Sequence, residues 1–159
     1  MIILKNRKQG LSLIEVVIAS AIVSIVMISL VSAYNIYLKV SLETTNSLKA
    51  TFLLEETIEA TRFLRDTSWG NLSSLNTGTN YYLYFDDTSG FEATTTVYLI
   101  DDFSRVFSIS DVNRDSNNDI SVIGTNDPNT KKITGSVFWL NHGTTTTKIL
   151  ESYITNIFE

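Results

Sequence analysis

Glu15 is the one ionisable residue in a long apolar stretch near the start of this sequence. No other side chain in residues 11–38 carries a charge. An ionisable group within an apolar segment long enough to cross a membrane is costly and usually functional. Because a carboxylate in a low-dielectric environment needs a partner of opposite charge, the position predicts a specific contact for Glu15.

A second group of oxygen-bearing side chains follows the middle of the chain and has the spacing of the first nine positions of a calcium loop. These candidate ligands are Asp111, Asn113, Asp115 and Asp119. The segment departs from a calcium loop at Ser116, where glycine normally makes the sharp turn, and at Val122, where a bidentate glutamate is expected. We therefore favour a solvated, Asx-rich turn between two strands, with calcium as an open alternative and no other cofactor.

No arrangement of residues in the sequence is typical of an enzyme. His142 is the only imidazole, it precedes Gly143 in a predicted turn, and the chain has no cysteine. Nucleophile-elbow, phosphate-loop and paired-histidine motifs do not occur. The sequence thus predicts a protein without catalytic residues, disulfides or thiolate metal sites.

Charge is unevenly distributed along the 159 residues. Lys5, Arg7 and Lys8 give the first ten residues a charge of +3, and since the whole chain carries −5, the remainder carries −8. An acidic body argues against a nucleic-acid partner, which requires clustered basic side chains.

Residues 11–35 have the length and composition of a transmembrane helix. About 20 apolar residues, each rising about 1.5 Å, span the roughly 30 Å of a bilayer core. The basic residues before this segment predict a cytoplasmic N-terminus and an exported remainder. An ordinary secretory signal has a shorter apolar region and a cleavage site after it, for which Ser32-Ala33 is a weak candidate. A plain membrane anchor would leave Glu15 unexplained.

The residues around this junction, KQGLSLIEVVIA at 8–19, resemble the leader junction of type IV pilins and type II secretion pseudopilins. Gly10 matches the residue before the cleaved bond, Leu11 becomes the new N-terminus in place of the commoner Phe, and Glu15 falls fifth. The resemblance implies that a prepilin peptidase removes residues 1–10 and methylates the amine of Leu11. It also implies that Glu15 pairs with the Leu11 amine of a neighbouring subunit, although the amine of its own chain is an alternative.

The helical pattern is predicted to continue through an amphipathic segment, residues 36–66, because no proline or glycine interrupts residues 11–69. Leu54 and Ile58 lie nearly opposite a longer apolar stripe. That stripe consists of Leu38, Leu42, Phe52, Leu53, Ala60 and Phe63. Two stripes favour two interfaces, one with the domain's own sheet and one with neighbouring subunits.

A β-rich head, residues 67–159, is expected after a linking loop at 69–79 that is rich in glycine, asparagine and serine. Five strands are predicted at 81–86, 93–101, 103–112, 132–140 and 147–157. Turn residues at 87–90 and 141–143 predict hairpins. A long N-terminal helix followed by antiparallel strands gives an α+β fold, which the resemblance identifies as the pilin fold.

Two blocks in the head, at residues 102–110 and 127–134, resemble segments of minor pilins of the PilV type and of pseudopilins I and J. The sequence therefore predicts a minor pilin or pseudopilin whose partners are the prepilin peptidase, other pilin subunits and the cytoplasmic membrane. Its head is expected outside the cell membrane, first on a single-pass protein and then in a filament. A membrane-anchored surface adhesin or binding module is the competing interpretation. Some pseudopilins carry a calcium loop in this part of the head, which keeps the calcium alternative open.

Overall fold

The computed structural model describes residues 12–141 and 143–158 as two helices and seven strands. Helix α1 (Leu13–Thr67) has 55 residues and is followed by the short helix α2 (Gly70–Ser73). The strands are β1 (Tyr81–Asp86), β2 (Gly90–Thr94), β3 (Leu99–Ile100), β4 (Phe103–Arg114), β5 (Ile120–Ser121), β6 (Thr125–Asn141) and β7 (Thr144–Thr155). The chain divides into two compact units after Thr44.

The second unit contains one antiparallel sheet with the order β2-β1-β4-β6-β7. The short strands β3 and β5 both pair with β4, away from this path. Strands β6 and β7 form a long hairpin whose register is unbroken from Thr130↔Thr155 to Asn141↔Thr144. The register of β4 against β6 shifts once, between Asp111 and Val112.

The part of α1 in this unit packs across the sheet and closes the core. Leu54 lies with Phe103, Val137 and Trp139 in one buried cluster. Ile58 belongs to a second cluster that joins the centre of the sheet to α2. Its buried members include Leu64, Leu72, Tyr81, Phe107, Ile109, Ile133 and Ile154. Helix and sheet approach closely at Gly135 of β6, where an added Cβ would lie 3.3 Å from Cγ2 of Thr57.

The predicted α+β architecture is confirmed, because a long apolar helix is followed by an antiparallel sheet. The first predicted strand has the observed bounds, and the two predicted hairpins are present as the antiparallel pairs β1–β2 and β6–β7. One face of β6 is turned to the helix, since Ile133, Val137 and Trp139 are buried and Gly135 lies under the helix.

The single strand predicted at 93–101 is wrong. Two strands, β2 and β3, cover this stretch, with residues 95–98 between them outside any strand. The break has a local cause, because the side-chain oxygen of Thr94 accepts a hydrogen bond from the backbone N–H of Thr96 and turns the chain. The linking loop predicted at 69–79 also contains the short helix α2.

The grouping of Ala60 with the longer apolar stripe of the helix is wrong as well. Ala60 is fully buried and lies with Ile58 in the core, whereas Phe52 and Phe63 are exposed. Leu53 is half-buried against the core. The core covers more of the helix circumference than the stripe of Leu54 and Ile58 alone. Ala60, which lies beside that stripe, is therefore buried as well.

Candidate functional site

The apolar segment of the first unit leaves its hydrophobic side chains uncovered on every side of the helix. Leu13 is 84% exposed, and the isoleucines, valines and leucines that follow it up to Leu42 are exposed as well. Among the described residues, α1 is the one helix long and apolar enough to cross a membrane. A helix that is hydrophobic all round is stable in lipid or among similar helices, so this segment requires one of those environments.

Three serine side chains within this segment are satisfied by the helix itself. The hydroxyl groups of Ser20, Ser24 and Ser29 donate hydrogen bonds of 2.8–2.9 Å to backbone carbonyl oxygens three or four residues earlier. Because lipid offers no hydrogen-bond partners, such bonds allow serine to lie in a membrane-spanning helix at little cost. Glu15 is then the one side chain of residues 13–38 whose charge is left to be compensated.

Glu15 lies in the first turn of α1, where the backbone N–H groups carry partial positive charge. Its Oε2 atom accepts a long hydrogen bond, 3.4 Å, from the backbone N–H of Ser12. The carbonyl oxygen of Ser12 in turn accepts bonds from the N–H groups of Glu15 and Val16 at 3.0 and 3.2 Å. Ser12 and Glu15 thus have the spacing of a capping box, a signal that the sequence analysis missed.

The residues on both sides of the predicted cleaved bond, Gly10 and Leu11, lie outside the described residues. The predicted cleavage and the predicted contact of Glu15 with a Leu11 amine therefore stay predictions.

Comparison with known families gives one match in this same segment. The family described as the prokaryotic N-terminal methylation motif matches residues 5–31. The chain carries the leader of type IV pilin-like proteins. No curated protein and no solved structure matches the chain at a significant level.

The pilin-like leader and the exposed apolar helix support the same coarse function. Both indicate a filament subunit that is anchored in a membrane through its N-terminal helix, with a head domain outside. The motif points to a structural subunit, and it implies processing by a prepilin peptidase and assembly with other pilins. The match ends at residue 31, so it does not include the head.

The four calcium candidates of the head lie at the end of β4 and in the turn to β5. Asp111 forms an ion pair with Lys131, and the Nδ2 atom of Asn113 donates to the carbonyl oxygen of Val122. Asp115 accepts the backbone N–H groups of Asn117 and Asp119 at 2.8 and 3.0 Å through one oxygen, Oδ1. Within residues 12–141 and 143–158, no group of three or more His, Asp or Glu side chains is arranged to hold a metal ion.

Arg114, the last residue of β4, contacts both this turn and strand β6. Its Nε atom lies 2.6 Å from Oδ2 of Asp127, and Nη1 donates to the carbonyl oxygen of Asn118 at 2.9 Å. Nη2 donates to the hydroxyl of Thr130 at 3.2 Å. The hydrogen bond from Arg114 is the main cause that lowers the pKa of Asp127 from its usual range. Arg114 therefore joins the turn to β6 next to the four candidate calcium ligands.

Gly124 lies in the next turn, between β5 and β6, and its backbone approaches that of Arg114 at the end of β4 closely. A Cβ added to Gly124 would lie 2.1 Å from the carbonyl oxygen of Arg114. This distance is too short for any side chain, so the position requires glycine. The turn carries an exposed apolar tip, because Val122 is 94% and Ile123 is 85% exposed.

Two basic side chains attach the sheet to the helix within the second unit. Lys148 of β7 donates to the carbonyl oxygen of Ser47 at 3.0 Å and to the hydroxyl of Thr51 at 2.8 Å. Arg105 of β4 is buried under the helix and lies 2.8 Å from Glu56. Neither residue was singled out in the sequence for this role, because a lone Lys or Arg within a strand carries no pattern that predicts a helix contact.

Proposed function

We propose that this protein is a minor pilin or pseudopilin, a structural subunit of a filament of the type IV pilus or type II secretion kind. The observation that supports this most is the methylation motif at residues 5–31 on a helix with exposed apolar side chains. A leader of this kind ahead of such a helix suits a subunit stored in the membrane and then transferred into a helical bundle.

Processing is the first step of the proposed function. A prepilin peptidase cuts the bond between Gly10 and Leu11 and methylates the new amine. The cut removes the +3 charge of the leader, which otherwise holds the N-terminus on the cytoplasmic side. It also creates an α-amino group that is cationic near neutral pH, one helical turn from Glu15.

Assembly is the second step. Glu15 of one subunit pairs with the Leu11 amine of an adjacent subunit, because neither charge is stable alone among apolar helices. The capping contact with Ser12 uses one carboxylate oxygen at 3.4 Å, so it is weak and leaves the other oxygen available for the amine.

A major pilin is the alternative within the same class, and the head fits a minor subunit slightly better. It lacks cysteine, so no disulfide closes its C-terminal part, and its long β6–β7 hairpin is rich in threonine. The competing adhesin or binding module would keep its leader or lose a longer segment, so the mature N-terminus separates the two functions.

Mass spectrometry of the mature protein tests this proposal. We expect a chain that begins with methylated Leu11, and we expect Gly10→Leu to remain uncut at this bond. Asn6→Leu adds the same side chain within the leader, leaves the three basic residues in place and should be processed normally. An intact Met1, or a chain cut near Ala33, would instead indicate the anchored module. Normal processing of Gly10→Leu would show that the leader assignment is wrong.

A further inference from the structure

A small cavity lies on the face of the head sheet that is turned away from helix α1. Leu83 of β1 and Ala93 of β2 pack into the core under the helix. Because side chains alternate along a strand, their neighbours Tyr84 and Glu92 point to the opposite face. The cavity on that face has a volume of about 240 Å³ and is lined by Tyr84, Glu92, Thr94, Thr96, Val97 and Tyr98.

The fold brings two aromatic rings and one carboxylate together at this cavity. Tyr84 and Glu92 are direct partners in the register of β1 with β2, so their side chains lie next to each other. The hydrogen bond between Thr94 and Thr96 then ends β2, and the chain that follows places Tyr98 against Tyr84. The two ring centroids are 5.8 Å apart, and the ring planes make an angle of 80°. The break in the strand therefore creates a corner with two aromatic walls.

Glu92 gives this corner a negative charge that the head does not compensate. Its Oε1 atom accepts a hydrogen bond of 2.6 Å from the hydroxyl of Ser89, and Glu92 forms no ion pair with any described residue. Residues 81–104 contain five acidic residues and no basic one, which gives −5. By contrast, Glu56 and Asp127 each have an arginine nearby, at 2.8 and 2.6 Å. The carboxylate of Glu92 is therefore available to a cation from outside the chain.

Aromatic faces beside a carboxylate are suited to an ammonium group. The rings attract a cation through their quadrupoles, and a carboxylate adds Coulomb attraction and accepts its N–H groups. Since Ser89 already engages Oε1, the remaining oxygen of Glu92 suits a single N–H donor better than the two-pronged guanidinium of arginine. The apolar stem of a lysine can pack along Val97, which is exposed at the same cavity.

The size of the cavity favours one side chain over a whole small molecule. Sites for complete small-molecule ligands usually have volumes of roughly 300–1,000 Å³, and this cavity is smaller.

We propose that Tyr84, Tyr98 and Glu92 form a binding site for a lysine side chain of another protein. The site lies in the head, and its occupation depends neither on cleavage after Gly10 nor on filament assembly. Its failure would therefore leave the proposed function unchanged.

A titration of the full-length protein tests the site with a defined probe. Nα-acetyl-lysine methylamide is added to ¹⁵N-labelled protein in maltoside micelles and phosphate buffer, which contain no ammonium group. We expect the amide signals of Tyr84, Glu92 and Tyr98 to shift, with a Kd on the order of 1 mM because one side chain makes few contacts. The Nε-acetylated probe has the same stem without the charge and should cause no such shifts.

Substitutions separate the contributions of the ring and the carboxylate. Tyr98→Leu and Glu92→Gln should each weaken binding of the lysine probe about tenfold. Tyr98→Phe keeps the aromatic face and should bind within about twofold of the parent. Asp87→Asn is the matched control for Glu92→Gln, because it removes the same charge from an acidic residue that does not line the cavity. It should change the affinity little.

Four results would overturn the lysine site. The absence of localised shifts with the lysine probe would show that the corner binds no ammonium group. Equal weakening by Asp87→Asn and Glu92→Gln would show that the overall acidity of the hairpin attracts the probe. Loss of binding in Tyr98→Phe equal to that in Tyr98→Leu would assign the contact to the hydroxyl and not to the ring. Tenfold tighter binding of the Nε-trimethylated probe would identify the ligand as a quaternary ammonium group instead of a lysine.

Discussion

Arg105 of β4 is buried beneath helix α1, where its Nη1 atom lies 2.8 Å from Oε2 of Glu56. The arginine side chain is 3% exposed and the glutamate side chain 46% exposed, so the pair joins the core to the surface. The Nε atom of Arg105 is buried without a hydrogen-bond partner among the described residues. Since a buried charge without compensation is unfavourable, the position of Glu56 fixes how the helix lies on the sheet.

Glu56→Gln should lower the free energy of unfolding of the head by about 1–3 kcal/mol, because the guanidinium of Arg105 loses the negative charge of its partner. Water reaches the exposed side of Glu56 and limits the loss. The measurement is urea unfolding of the head followed by circular dichroism. Glu55→Gln makes the same change at the neighbouring exposed carboxylate and should stay within about 0.5 kcal/mol of the parent. Equal effects of the two variants would show that the ion pair contributes no stability.

The ionised carboxylate of Asp127 should stabilise the head, and this contribution should be lost in acid. Its hydrogen bond from Arg114 lowers the pKa of the folded carboxyl below the unfolded value near 4. The unfolded chain therefore binds more protons in this range, so the contribution of Asp127 is present above about pH 4 and is lost as the pH falls through the folded pKa. The melting temperature measured from pH 7 to pH 2 should fall less steeply for Asp127→Asn than for the parent.

The exposed Asp102 provides the matched control for this pH series. Asp102→Asn should keep the acid dependence of the parent chain, because Asp102 forms no ion pair with any residue that the structure describes. If Asp127→Asn and the parent lose stability in parallel as the pH falls, the contact between Arg114 and Asp127 does not govern the acid response.

Calcium should stabilise the head weakly at most. Asp111 is engaged by Lys131, and Asp115 already accepts two backbone N–H groups of the turn. A site with millimolar affinity raises the melting temperature only at millimolar calcium, since the gain is RT ln(1 + [L]/Kd). Melting curves in chelator, about 10 µM and about 10 mM calcium test this expectation. A clear rise at micromolar calcium would contradict it, and loss of that rise in Asp115→Asn would identify the loop as the site.

The pilin-like leader was recognisable from the sequence because its signals are local. Gly10, Glu15 and the uncharged run that follows are all contained in about thirty consecutive residues, and the family match covers the same stretch. The strand bounds of β1 were also predictable, since turn residues flank an aromatic run.

The contacts that organise the head were not predictable, because they join residues that are far apart in the sequence. Arg114 joins Asp127 across thirteen positions, and Lys148 joins Ser47 across about one hundred. Neither spacing has a helical or strand period, so these contacts depend on how the sheet pairs and how the helix crosses it. The break at residues 95–98 was not predictable from composition either, because the composition favours one continuous strand there. A single hydrogen bond between Thr94 and Thr96 ends that strand.

Glu15→Gln separates the charge of this side chain from its other properties. Glutamine keeps an oxygen that can accept the N–H of Ser12, so the first turn of α1 should be preserved. Membrane insertion and cleavage after Gly10 depend on the leader and the apolar run, and they should be largely unchanged. Entry into filaments should fall strongly, because an amide cannot compensate the charge of a neighbouring Leu11 amine.

The measurement is the ratio of filament-associated to membrane-resident mature subunit. Glu15→Asp keeps the charge but draws the carboxylate back by one methylene, and we expect it to impair assembly nearly as much. Ser12→Ala provides the matched control, because it changes the capping residue and leaves both the Glu15 charge and the backbone N–H of residue 12 in place. If Glu15→Gln assembles like the parent, charge pairing does not recruit this subunit, and apolar packing of Val16, Val17 and Ile18 against neighbouring helices has to suffice.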